Sequence, residues 1–210
     1  MGHREHPDTR ALGRIGCCVR ERLARQSTLA RLDSPDVELW HAEAYVEPHA
    51  CARLIALIDT AAAPSLLAQE DGWAGYRTSC SADIPPADHD VRMLEQRLTD
   101  LTGIDARCGE NLQGQRYAPG EYYHTHCDWF DTAAPYWQHE RRCGGQRSWT
   151  AMVYLNDVNG GGETHFPRSA CAFARAPARC WCGTTPAPTA LRIPRPATPP
   201  SRWNKARNIS

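Results

Sequence analysis

No apolar run in this 210-residue chain approaches the roughly 20 residues needed to span a bilayer, and its start lacks the apolar stretch of a secretory signal. The expectation is a soluble, cytoplasmic protein. Net charge is missing too. The 24 Lys and Arg residues balance 24 Asp and Glu, which removes any global argument for nucleic acid or an anionic membrane as partner. No internal repeat divides the chain, and its length suits one domain with one substantial core. Cysteine is plentiful at ten residues, but regular cysteine spacing is absent. Without an export signal these thiols read as reduced, mostly buried side chains. Neither Cys17-Cys18 nor Cys180-x-Cys182 offers the four-ligand spacing of a zinc site.

Two further absences are local. After His165 there is no other His, and after Arg168 there is no Asp or Glu. Residues 169–210 hold seven basic residues, so they carry +7, while the first 168 residues carry −7 from 17 basic and 24 acidic side chains. Seven of the sixteen prolines fall in the same stretch. Its apolar residues keep neither period 2 nor period 3.6, so it is expected to be irregular and to leave sheet edges uncovered. A basic disordered tail is the plain alternative.

The remaining chain shows clearer signals. Leu12, Ile15, Val19 and Leu23 lie near helical spacing and predict a peripheral helix within an N-terminal extension, residues 1–35. Val37-Glu38-Leu39-Trp40 alternates as a strand does. Pro48 opens a second helix carrying Leu54, Ile55, Leu57 and Ile58. Asp88 or Asp90 caps a third, with Val91, Leu94, Leu98 and Leu101 three and four apart and Gly103 placed to end it. From about Arg107 the pattern changes to short segments broken by Gly and Pro: Cys108 to Tyr117, Tyr122 to His126, Trp149 to Leu155 and Glu163 to Phe166. Helices first and strands later predict an α+β domain with helices packed on one face of an antiparallel sandwich or barrel.

The densest chemistry lies in Tyr117-Ala118-Pro119-Gly120-Glu121-Tyr122-Tyr123-His124-Thr125-His126-Cys127-Asp128-Trp129-Phe130. On an extended segment His126 and Asp128 point to the same side, so one imidazole and one carboxylate can reach a single metal ion. A lone His-x-Asp arises often by chance. Its surroundings give it weight. Arg77-Thr78-Ser79, Leu101-Thr102-Gly103-Ile104, Gly109-Glu110-Asn111-Leu112-Gln113 and Arg116-Tyr117-x-Pro119-Gly120 precede it. Gly145-Gln146-Arg147-Ser148-Trp149-Thr150-Ala151-Met152-Val153-Tyr154-Leu155-Asn156-Asp157-Val158 and Gly161-Gly162-Glu163-Thr164-x-Phe166-Pro167 follow it.

In this order and spacing the motifs resemble the catalytic domain of the 2-oxoglutarate- and Fe(II)-dependent prolyl 4-hydroxylase family. The resemblance runs over residues 36–168. It implies a double-stranded β-helix, or jelly roll, with N-terminal helices, and peptidyl-proline 4-hydroxylation as the activity. It also implies Fe(II), 2-oxoglutarate and O2, ascorbate as a further cofactor, and a proline-containing peptide or protein as substrate. By resemblance His126 and Asp128 are metal ligands, and Tyr117, nine residues before His126, hydrogen-bonds the remote carboxylate of 2-oxoglutarate. Thr150 lines the same pocket. His124 is a neighbour rather than a ligand, and His165 belongs to the Gly-Gly-Glu-Thr turn. Residues 131–146, with Tyr136, Trp137 and a Gly144-Gly145 hinge, fall where the family has a mobile loop over its peptide.

One part of the family pattern is not written in this chain. The family adds a distal His and, beyond it, a basic residue for the remote carboxylate of 2-oxoglutarate. The genetic code offers an account. Read from the third base of each codon, Cys180-Trp181 must give Leu, Trp181-Cys182 Val and Trp203-Asn204 Glu. The same frame permits L-V-W-N-N, then P-D-G-S-P-N, then H-A-x-x-P-V-E-Q-G-T-K-Y-I, which resembles the end of the family domain. The permitted His falls at the Ala197/Thr198 junction. The Gly that usually follows H-A is refused. The reading is a frame-shifted tail at residues 169–210, with the final strands of the jelly roll missing and activity impaired. Its alternative is a non-catalytic remnant that binds metal or peptide only.

Overall fold

The computed structural model describes residues 7–34, 37–65, 75–166, 171–173, 178–184, 191–193 and 203–209. Three helices begin and end where local chemistry dictates. Asp8 opens α1 (Thr9–Ala24), its carboxylate accepting from the Arg10 and Ala11 amides at 3.0 and 2.9 Å. Pro48 sits in the first turn of α2 (Pro48–Ala61), where its missing N–H costs nothing. Asp88 caps α3 (His89–Thr102), and Gly103 ends it in the left-handed conformation at φ +75°. A fourth helix, α4 (Trp137–Cys143), lies inside the segment expected as a loop, with Trp137 buried. Among the described residues no helix is long and apolar enough to cross a membrane.

The strands are β1 (Ala30–Arg31), β2 (Leu39–Ala42), β3 (Ala63–Pro64), β4 (Cys80–Asp83), β5 (Gln113–Arg116) and β6 (Tyr123–His126). They continue as β7 (Trp149–Tyr154), β8 (Thr164–Phe166), β9 (Cys171–Phe173), β10 (Cys180–Thr184), β11 (Leu191–Ile193) and β12 (Trp203–Ile209). A larger antiparallel sheet has the order β1-β2-β10-β7-β12-β5-β4-β3, and a smaller one has the order β6-β11-β8-β9. This is the helices-plus-antiparallel-sheet architecture expected, in two sheets rather than a closed barrel.

Strand β7 shows how the layers stack. All six of its residues are buried, so neither face meets water. Trp149, Ala151 and Val153 join the core that α1, α2 and α3 supply through Val19, Leu23, Leu54, Ile58, Val91 and Leu98. Met152 and Tyr154, one residue out of phase, pack with Val37, Leu39 and Phe166 of β8. The period of two thus sends alternate side chains to the helical layer and to the space facing the smaller sheet. Thr150 belongs to the second set. At the helix layer the approach is close enough that Gly114 of β5 has no room for a side chain: a Cβ there would stand 2.2 Å from Ile58 of α2.

The expectation of missing final strands and an irregular tail is corrected. Strand β10 pairs with both β2 and β7, β11 with β6 and β8, and β12 with β5 and β7. Ladder hydrogen bonds use only backbone groups, so pairing needs no apolar alternation. Prolines forbid it only where they sit, and the seven prolines of residues 169–210 all fall between the strands, none within them. Cys180 and Cys182 are buried against the helical core, small enough for a crowded layer.

Candidate metal centre

His126 closes β6, and Asp128 follows it in an irregular stretch. The imidazole Nε2 stands 3.4 Å from Asp128 Oδ1, with both side chains largely buried. Since metal bonds to His nitrogen and carboxylate oxygen are about 2.0–2.2 Å, one ion can touch both atoms.

Each residue is also held on the side away from that gap. His126 Nδ1 lies 2.8 Å from the His124 carbonyl oxygen, which only an N–H at Nδ1 can satisfy. A neutral ring then keeps its lone pair at Nε2, the tautomer a metal requires. Thr150 Oγ1 donates to Asp128 Oδ2 at 2.8 Å. The ring of Tyr123 stacks on His126, with centroids 3.7 Å apart and planes 14° from parallel. Arg77 lies over the same tyrosine, its guanidinium carbon 4.7 Å from the Tyr123 ring centroid. Arg77 is itself held by the hydroxyls of Ser79 at 2.9 Å and Ser81 at 2.8 Å.

The second positive group is Arg147. It donates to both oxygens of Glu110, at 2.5 and 2.9 Å, and to the Asp128 carbonyl oxygen at 3.3 Å. Its guanidinium carbon lies 4.2 Å from the Phe130 ring centroid. Burial pushes the Asp128 carboxyl up. The hydrogen bond and charge of His126, aided by Arg147 and Thr150, outweigh it and leave the group below the usual carboxylate range.

Tyr117 follows β5, with its hydroxyl 3.1 Å from Gln115 Oε1 as donor. Burial pushes the phenol up to about 12, against the pull of Arg77 and Ser79, so near neutrality it is a proton donor. Arg77 and Tyr123 act electrostatically on Tyr117, and the Tyr123 ring is the one that stacks on His126. Of the four residues singled out in the sequence, Asp128 contacts both His126 and Thr150, and Tyr117 is linked to the group through the charges of Arg77 and Tyr123.

His165 lies on β8 opposite Arg192 of β11, and the ring of His124 packs between Tyr76 and Tyr122 at centroid distances of 5.3 and 4.7 Å. Among the described residues no three His, Cys, Asp or Glu side chains gather as a metal-binding group. The donor set of one imidazole and one carboxylate fits a hard or borderline divalent ion and supplies two of the three protein ligands of a facial triad. The Glu110–Arg147 pair and the outward hold on Asp128 were missed in the sequence. Glu110 and Arg147 lie 37 positions apart, and no spacing rule joins them.

Comparison with known proteins bears on the same stretch of chain. The sequence profile of the 2OG-Fe(II) oxygenase superfamily matches residues 112–195, a span that contains His126, Asp128 and Thr150. Over that stretch the chain is similar to the 2OG-Fe(II) oxygenases and, among curated proteins, to prolyl 4-hydroxylases. The match continues past Arg168, so family likeness is not confined to the residues before it. A probable prolyl 4-hydroxylase of Arabidopsis thaliana is 38% identical over 90 residues, covering 43% of this chain and 29% of that protein. The chain therefore matches well under half the length of this relative. Among solved structures, the viral collagen prolyl hydroxylase of Paramecium bursaria Chlorella virus-1, in a 2-oxoglutarate complex, aligns at TM-score 0.58 and 21% identity over 81% of this chain and 94% of that one. A Trichoplax adhaerens prolyl hydroxylase, bound to a hypoxia-inducible-factor peptide, aligns at TM-score 0.61 and 11% identity over 95% and 90% of the two chains. Identities this low establish the shared fold.

Proposed function

We propose that the domain is an Fe(II)- and 2-oxoglutarate-dependent oxygenase that 4-hydroxylates prolyl residues in a peptide or protein. The observation that carries this reading is the facing of His126 Nε2 and Asp128 Oδ1 at 3.4 Å, each residue being held from behind. His126 and Asp128 would hold the iron. When bound, iron(II) supplies the redox chemistry by which one O2 and one 2-oxoglutarate become succinate and carbon dioxide while a C–H bond of the substrate becomes C–OH. The chain's own residues provide the setting. Tyr117, protonated near neutrality, offers its O–H to the remote carboxylate of 2-oxoglutarate. Arg77 and Arg147 give the rim of the site positive character that favours an anionic co-substrate. Tyr76, Tyr122 and Tyr123 present flat apolar surfaces of the kind that accept a prolyl ring. Ascorbate, by family likeness, would keep the metal reduced.

The second reading, a remnant that binds metal or peptide without turnover, is favoured by the lack of a third ligand among the described residues. It joins the proposal that residues 169–210 are translated out of frame, supported by the Leu, Val and Glu codons that the shifted frame makes obligatory. A nucleotide read across codons 165–172 tests the frame. Iron-dependent succinate formation from 2-oxoglutarate, assayed for this chain and for a frame-corrected version with proline-containing peptides, tests the activity. A corrected, iron-binding protein that never forms succinate would rule out the oxygenase reading.

A further inference from the structure

We propose that Thr150 is a positioning residue for Asp128, holding Oδ2 so that Oδ1 is the oxygen presented beside His126 Nε2. The inference rests on the reading of His126 and Asp128 as the iron site, and it assigns Thr150 to the carboxylate instead of the co-substrate pocket.

Asp128 has little of its own to fix it. It sits two residues beyond β6 in an irregular stretch, and the torsion that exchanges its two oxygens is broad. Thr150 is its opposite. It lies within β7, only 4% exposed, and that strand is paired on both sides, with Gly183 of β10 and Asn208 of β12 in register with Thr150. A β-branched side chain on such a strand has few orientations. Its hydroxyl, 2.8 Å from Oδ2, therefore transmits the position of the most constrained strand to the least constrained ligand. The backbone of Asp128 is tied as well, through the 3.3 Å bond from Arg147 to its carbonyl oxygen. That bond fixes the backbone, and among the described residues the Thr150 hydroxyl is the donor seen on Oδ2. The His124 carbonyl does the same for His126 by taking Nδ1. The two ligand atoms are thus the two left facing each other, and loss of such outer partners typically weakens metal affinity about 10–100-fold.

The test uses the full chain and Mn2+, read by paramagnetic broadening of the His126 ring resonances, a signal that survives weak binding. Thr150→Val keeps the shape of the side chain and removes the hydroxyl. It is expected to raise the Mn2+ concentration for half-broadening about 10–100-fold, while Thr150→Ser restores most of the affinity. Should Thr150→Val not fold, as judged by its thermal melt, Thr150→Ala takes its place. Unchanged Mn2+ response in a folded Thr150→Val protein, or a loss that Thr150→Ser does not repair, overturns the positioning role. If the unmodified chain shows no broadening at His126, or Asp128→Ala leaves the broadening intact, the iron-site reading fails and the proposal falls with it.

Discussion

His126 Nε2 and Asp128 Oδ1 face each other at 3.4 Å while the ring's other nitrogen is committed to the His124 carbonyl. A metal ion placed in that gap would take the lone pair that Nε2 keeps when Nδ1 carries the ring's proton. Metal and proton therefore compete for one lone pair. We expect metal affinity to fall as pH falls, with protons released on binding, because the ligands must be deprotonated to hold an ion. Calorimetry of Mn2+ binding in two buffers of different ionisation enthalpy measures the release directly, and a buffer-independent heat would contradict it.

The phenol of Tyr117, pushed up to about 12 by burial, remains a donor across the working pH range. Tyr117→Phe is expected to weaken 2-oxoglutarate binding by about 1–1.5 kcal/mol, near tenfold, with metal affinity unchanged. Binding of 2-oxoglutarate to the Mn2+-loaded, frame-corrected protein separates the two. An equal loss of both affinities would make Tyr117 a structural residue.

The contact between Gly114 and Ile58 makes a prediction about packing. A Cβ added at Gly114 would stand 2.2 Å from Ile58 Cγ1, so Gly114→Ala is expected to cost about 1–3 kcal/mol through overpacking. Ile58 is fully buried, and Ile58→Ala alone should cost about 2–5 kcal/mol. The double variant should be more stable than the sum of the two losses, because each change makes room for the other. Denaturant melts of all four proteins test this, and simple additivity would show that α2 shifts away at no cost.

Removing residues 169–210 should do more harm than removing an appended tail. Strand β7 has β10 on one side and β12 on the other, so truncation bares both edges of the strand at the centre of the larger sheet. Exposed edges of this kind aggregate. Expression of residues 1–168 is expected to give insoluble protein, and a soluble fragment with a cooperative melt would show that the tail strands are dispensable.

What the sequence made legible follows from where the governing interactions lie. The caps at Asp8 and Asp88, the stop at Gly103 and the start at Pro48 are decided within four residues, and the helices there were readable. Strands β5 to β8 announced themselves by composition and turns. The four tail strands did not, because Cys180-Trp181-Cys182-Gly183-Thr184 carries no pattern of its own and takes its place from partners such as His41 and Met152. Counting prolines across the stretch obscured that they punctuate it. At the site, His126 and Asp128 could be paired from their spacing, whereas the grip of Thr150 on Asp128 depends on a strand 22 positions away.

The order of the larger sheet also sets an order of events. Strand β12, one of the two strands beside β7, consists of Trp203–Ile209, the last of the described strands. Residues already synthesised can form α1, α2 and α3 and gather the helical core, but β7, with Thr150 on it, lacks one neighbour until residues 203–209 have been added. Such long-range pairing is slow and leaves partly built sheet exposed in the meantime. The rigidity that β7 lends to the candidate metal centre is thus acquired after the helices, so a growing chain would hold its helices well before it could hold an ion.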